Sequence, residues 1–390
     1  MVTAVFNGKQ MPKYFTNTCL ILILKVDSPQ EFSEFRPISL SNVTQKIVSK
    51  VMNNRISKII TKLISQNQSG FVKGKPIGEN VLLAQELIHD LKKYNKGKSH
   101  TLKLVLDCLK NYEKASGQII NKEKSCFLMD SNISNNRINI VSQYLQVQRK
   151  EFPINYLGCP FFQGREKIEY FTQSATKILK KLGTWHCNML SKRGKKLGTW
   201  HCNMLSTLGI ELVASTLATM PVYLLSICQP PKSICQQMEK NFASFLWGTA
   251  DCKNKHHWVA WRKMCYPTEE GGIGIRSLQS VSNNFGAKLW WSYRTKKSLW
   301  SDFLNAKYTR RIQPVAKKWS YTQSHCWRRL MKSRDKVDQL ILWKVNKGNS
   351  SFWWDNWTGQ GRLAQYGNAN TSVTEKCQIT SSMMGGILLN

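Results

Sequence analysis

Carboxylates decide whether a chain can perform metal-assisted phosphoryl transfer. Hard Mg²⁺ takes oxygen ligands, and two such ions about 3.5–4 Å apart need several acidic side chains brought together. This 390-residue chain contains no Asp-Asp dipeptide, and its one adjacent acidic pair, Glu269-Glu270, lies in a Gly-rich turn. Glu31/Glu34, Glu166/Glu169 and Asp335/Asp338 are spaced one helical turn apart beside basic or polar neighbours and read as surface pairs. Asp107 follows the apolar run Leu102–Leu106 and superficially mimics an acid-bearing strand, but Leu106, Tyr112 and Ser116-Gly117 continue it as a helix. A lone carboxylate cannot build a two-metal site. A second constellation, Cys252, His256, His257 and Cys265, has one spacing near that of zinc ligands and lacks the second close pair that structural zinc sites use. The expectation is therefore no catalytic residue and no bound metal.

Cations are abundant. Lys and Arg number 57 against 23 Asp and Glu, a formal charge of +34. The excess runs through the whole chain: residues 1–180 hold 27 basic and 13 acidic groups, and residues 181–390 hold 30 and 10. Distributed positive charge suits a polyanion, because each neutralised phosphate releases condensed counterions. Nucleic acid is the expected partner, ahead of an anionic membrane surface. With 42% hydrophobic residues the chain can also bury a core, which excludes a disordered basic tail. Met1–Lys13 lacks the apolar run of a secretory signal. Leu212–Cys228 is interrupted by Pro221 and falls short of the roughly 20 residues of a spanning helix. The twelve cysteines are scattered, as in a reduced intracellular protein.

The elements that must position these groups follow from periodicity. Thr18–Lys25 is a β-branched and leucine-rich run expected as a buried strand. Ser41 or Asn42 caps a helix carrying Val48, Met52, Ile56, Ile59, Ile60 and Leu63 on one face, with Lys46, Lys50, Lys58 and Lys62 opposite. The basic turn Gly70-Phe71-Val72-Lys73-Gly74-Lys75 leads into a helix over about Glu79–Lys93. All fourteen tryptophans lie at or after Trp185. Beyond Pro230-Pro231, a helix places Ile234, Met238, Phe242 and Phe245 on one face and closes at Gly248. Trp290-Trp291 and Trp353-Trp354, interleaved with cations, suit base stacking, although burial as core is the commoner role of such large apolar rings. Lys180–Ser191 recurs word for word as Lys195–Ser206, a single identical pair that reads as a recent duplication spanning 180–194 and 195–209.

In order along the chain, several segments resemble the reverse transcriptase region of plant LINE-type (non-LTR) retrotransposons. The run ending in Lys25, with Arg36-Pro37-Ile38-Ser39-Leu40, is similar to the fingers motif. Gln68–Lys75 and the helix bearing Asn80, Leu83 and Glu86 resemble the next block, Gly117–Ser125 a late palm motif, and Tyr156-Leu157-Gly158 the primer-grip turn. Met220–Tyr223, Phe245–Gly248, Glu270–Ile275 and Phe352–Trp357 resemble the tryptophan-rich region that follows.

The resemblance implies an α+β fold: a partial fingers and palm remnant, then a mostly helical Trp-rich region. Its implied divisions are 1–100 (fingers and start of the palm), 101–165 (late palm and primer grip), 166–366 (thumb-like and Trp-rich) and 367–390 (a divergent tail). It implies contact of Lys25 and Arg36 with a nucleotide triphosphate, of Lys73 and Lys75 with phosphate, and of Lys124 with the departing pyrophosphate. Tyr156, Leu157 and Gly158 would lie at the primer end. The family holds Mg²⁺ on an Asp strand and an Asp-Asp hairpin. Here the piece preceding that strand (Asn95–His100) runs straight into the piece following the hairpin (Thr101–Asp107), so a block is missing between about Ser99 and Leu102. The resulting expectation is an inactive fragment of an RNA-directed DNA polymerase with no cofactor, binding RNA or DNA non-specifically, in nucleus or cytoplasm. An active polymerase with its metal ligands elsewhere, and a helical protein-interaction module, are the competing readings.

Overall fold

The computed structural model of the protein describes residues 2–26, 28–65, 68–70, 72, 74–91, 99–191, 215–247, 259–343 and 351–366. The chain divides into two compact units, Met1–Ile77 and Gly78–Asn390.

In the first unit the short helices α1 (Val2–Phe6) and α2 (Lys13–Thr16) precede strand β1 (Thr18–Leu24). It pairs antiparallel with β2 (Phe35–Ser41), in register from Thr18↔Ser41 to Leu24↔Phe35. Branched and leucine side chains favour the pleated conformation, and Pro37 is tolerated because β2 leaves an edge open. The Asn42 side chain accepts from the Thr44 N–H at 3.3 Å and starts α3 (Val43–Ile56). The expected helix is not continuous, for α3 stops at Ile56 and a separate turn, α4 (Ile60–Leu63), follows.

The expected burial of β1 is wrong. All seven of its residues are exposed, Leu20 by 60% and Ile23 by 45%. On α3 only Val48 is buried, while Met52 and Ile56 face solvent. A β-branched and leucine-rich run favours strand conformation, but a two-stranded hairpin has no layer to cover its faces.

The second unit holds helices α5 (Ile77–Asp90), α6 (Ser99–Ser116), α7 (Asn135–Leu145) and α8 (Ile168–Ser191). Asp107 lies exposed on α6, as the helical reading requires. Gly117, at φ 68°, ends that helix and donates its N–H to the Glu113 carbonyl at 2.9 Å. The strands are short: β3 (Cys126–Phe127) runs parallel to β4 (Gln148–Arg149), and β5 (Ile154–Tyr156) is antiparallel to β6 (Cys159–Phe161). Then come α9 (Val222–Ile227), α10 (Lys232–Trp247), α11 (Trp261–Met264), α12 (Leu278–Thr295), α13 (Leu299–Leu304) and α14 (His325–Val337). The class is mixed α+β, dominated by helices.

One core joins α5 and helices α8 through α14, to which α6 and α7 add no residue among those described. Ile234, Met238 and Phe242 are buried on the predicted face of α10, while Gly248 lies outside the described residues. Of the tryptophans suited to base stacking by sequence, Trp290 (0% exposed) and Trp353 (6%) are core, as are Trp300 and Trp327, whereas Trp291 is 45% exposed. Trp290 Nε1 donates to Asp338 Oδ1 at 2.7 Å, and Arg362 pairs with the other oxygen at 3.2 Å. The surface reading of Asp335/Asp338 therefore fails for Asp338, which is buried and held by tryptophan and arginine donors. Arg294 pairs with Asp355 at 2.5 Å and ties the Phe352–Trp357 segment to α12. Of the duplication, only the backbone of the first copy to Ser191 is described, and the second copy lies outside.

Candidate nucleic-acid interface

The groups singled out by sequence fall in separate places. In the first unit Arg36 sits opposite Ile23, and the Lys25 N–H extends the ladder to the Glu34 carbonyl at 2.8 Å. By strand alternation Lys25 and Arg36 share one face of the hairpin end. Both are exposed, and Lys25 Nζ donates to the Ser33 carbonyl at 2.5 Å. The nearby acids are occupied locally, since Glu34 Oε2 accepts from the Gln30 and Glu31 N–H groups at 2.6 and 3.2 Å. Lys75 Nζ donates to the Ser65 carbonyl at 3.0 Å. Phe71 and Lys73 lie outside the described residues.

In the second unit Lys124 is exposed in the turn before β3, its N–H bonded to Asn121 Oδ1 at 3.0 Å. Tyr156-Leu157-Gly158 forms the tip of the β5–β6 hairpin. Tyr156 pairs with Cys159, and Leu157 and Gly158 both take positive φ, 49° and 81°, the signature of a type I′ turn. Ser174 Oγ on α8 fixes the tip by donating to the Gly158 carbonyl at 3.1 Å. Among the described residues no three His, Cys, Asp or Glu side chains gather as metal ligands. Cys252, His256 and His257 fall outside the described residues. Cys265 is half-buried, and burial pushes its thiol up to about 11.

A marked concavity among the described residues lies elsewhere, in the second unit. It has a volume of about 630 Å³ and is walled by α5, the loop after β6, the end of α9, the Trp319–Gln323 loop and the first turns of α14. His325, Arg328, Arg329 and Lys332 all line it. Their i, i+3, i+4, i+7 spacing puts them on one helical face. Arg165 and Glu166 line the opposite loop. Burial raises the Glu166 carboxyl, opposed by the surrounding positive charges of His325, Arg328, Lys332 and Arg329. Lys332 is pulled down, first by desolvation and then by its neighbour Arg328. Glu166 is thus no surface acid, contrary to the sequence reading.

The basic helix is set in place by a buried polar cluster. Ser324, the N-cap of α14, accepts from the Trp327 N–H at 3.0 Å and donates to Glu86 on α5. Glu86, fully buried, also takes Lys307 Nζ and Tyr308 Oη, each at 2.8 Å, and Lys307 reaches Asp90 at 2.8 Å. Arg329 donates to the Leu225 and Ser282 carbonyls at 2.7 and 3.0 Å and locks the helix against α9 and α12. Sequence reasoning passed over this face, although the basic periodicity of 325–332 was its readable signal.

No family model matches the chain. It is 31% identical over 219 residues to an Arabidopsis thaliana protein named as a ribonuclease H protein, covering 54% of this chain and 32% of that one. It is 27% identical over 143 residues to an uncharacterised mitochondrial protein of the same plant, 35% of this chain and 92% of that protein. An uncharacterised 149 kDa protein of the TX1 transposon of Xenopus laevis is 29% identical over 89 residues, 23% of this chain and 7% of its own length. Sequence similarity therefore links this chain to a transposon protein. The matched segment spans only about a third of the first relative's length. Among the described residues no helix is long and apolar enough to cross a membrane.

Proposed function

We propose that this chain is a remnant of a plant LINE-type reverse transcriptase that has lost polymerase chemistry and keeps non-specific affinity for RNA or DNA. The observation that carries this reading is the order of its motifs, from Arg36–Leu40 through Tyr156-Leu157-Gly158 to Phe352–Trp357. The likeness to the TX1 transposon protein and to one named for ribonuclease H supports it. The solvent-facing apolar residues of β1 and α3 support the loss of a block that would have covered them. On this reading Lys25, Arg36, Lys75 and Lys124 are relics of a phosphate-binding surface, Tyr156–Gly158 is a relic of the primer grip, and no Mg²⁺ is held. The positive charge remains, and it draws phosphate backbones without reading bases.

Primer extension on a primed RNA template with Mg²⁺ tests the loss of chemistry. The expected incorporation of labelled nucleotide equals that of a Lys25→Ala control, and incorporation above the control overturns the reading. In the same preparation, binding to single-stranded RNA is expected to weaken linearly on a log–log plot against salt. Binding indifferent to salt counts for a protein-interaction module instead.

A further inference from the structure

We propose that the cavity against α14 is a binding site for one nucleotide unit of a single-stranded nucleic acid, its phosphate on Arg328 and Lys332 and its base against Tyr321 and Trp319. This rests on the reading of the chain as a nucleic-acid binder and assigns that affinity a place.

Charge is the first ground. Arg165, Arg328, Arg329 and Lys332 line the cavity against the single carboxyl of Glu166. Mutual repulsion of the cations is part of what pulls Lys332 down, and an incoming phosphate relieves it. Shape and ring chemistry are the second. At about 630 Å³ the cavity has the size of small-ligand sites, about 300–1,000 Å³. Tyr321 stands 92% exposed at its rim, edge-on to Trp319 at 4.8 Å, and Arg328 lies over the Trp319 ring at 5.1 Å. A cation beside an aromatic pair is the arrangement that stacks bases while holding the backbone.

The third ground is hydrogen bonding. Among the described residues, two buried donors lining the cavity have no partner, Arg329 Nε on a side chain only 4% exposed and Gln163 Nε2. Buried donors left open are costly, and these two mark a cavity wall that the protein's own acceptors do not satisfy. A protein partner is the weaker occupant, since the site is concave and its charged lining is cationic apart from Glu166.

Fluorescence anisotropy of the full chain with a labelled U12 RNA tests this at several salt concentrations. Arg328 and Lys332 are exposed, so their joint replacement by alanine is expected to keep the fold, checked by circular dichroism alongside the binding curves. Two lost phosphate contacts, at about 0.7 each in the single-strand salt slope, lower that slope by about 1.4 and weaken binding about 25-fold at 0.1 M salt. Tyr321→Ala weakens binding about fivefold or more without changing the slope. The control Lys103→Ala/Lys110→Ala removes the same charge from the exposed face of α6 and has a much smaller effect. If the wild type binds and the pocket and control pairs weaken it equally, this site is overturned while general nucleic-acid binding stands. If the wild type binds no RNA, both fall.

Discussion

Leu157 is the residue whose backbone contradicts its side chain. A branched residue at φ 49° pays about 1–2 kcal/mol for the left-handed conformation, and such strain persists where surrounding structure imposes it. Here the two-residue connection imposes it, because a type I′ turn needs positive φ at both central positions. Leu157→Asn creates the Asn-Gly pair that such turns favour. It is expected to raise unfolding stability by about 1 kcal/mol, seen as a higher denaturant midpoint at unchanged slope. An unchanged or lower midpoint would mean that the contacts of the half-exposed leucine outweigh the strain. Tyr156-Leu157-Gly158 was legible as a turn in the sequence, but the left-handed leucine was not, because no propensity favours that choice.

Among the elements, α10 and α12 share a polar contact: Glu239 Oε1 accepts the Leu278 N–H at the start of α12, at 2.7 Å. Burial raises the Glu239 carboxyl above its usual 4.5, and the Leu278 bond only partly opposes this. The native state therefore binds its proton more tightly than the unfolded chain does. The associated stability is fully present below pH 4.5 and is lost as pH rises through the raised value. Gln keeps the acceptor and removes the charge. Glu239→Gln is expected to melt like the wild type at pH 4 and at a higher temperature at pH 7, read by circular dichroism; parallel curves would refute the assignment. Apolar periodicity revealed α5 and α10 within a few residues, because helix faces repeat every 3.6 positions regardless of partner. The acids could not be sorted in the same way. Asp338, Glu166 and Asp335 have similar sequence surroundings, yet Asp338 meets Trp290 from 48 positions away while Asp335 pairs with adjacent Arg334. Long-range closure decides burial, and spacing within one helix carries no trace of it.

At the scale of the whole molecule, the unburied surface of the first unit is the governing fact. Leu20, Leu22 and Leu24 point to one side of β1 and Ile21 and Ile23 to the other, and all five are between 43% and 60% exposed. Among the described residues its sheet has only two strands, so the hairpin leaves backbone edges unpaired there. Open apolar strands of this kind template further pairing. A formal charge of +34 opposes association through repulsion between molecules, but salt screens that repulsion over about 10 Å at 0.1 M. The two forces make opposite demands on ionic strength, and this separates them. Light scattering is expected to show larger assemblies as salt rises from 0.05 to about 0.5 M, whereas RNA binding weakens over the same range. Ile21→Lys with Ile23→Lys, which places charge on one face of β1, is expected to abolish the salt-induced growth with little change in RNA affinity. A wild-type chain that stays monomeric and melts cooperatively across that range would mean the apolar hairpin is covered in solution, and the case for a missing palm block would lose its structural support.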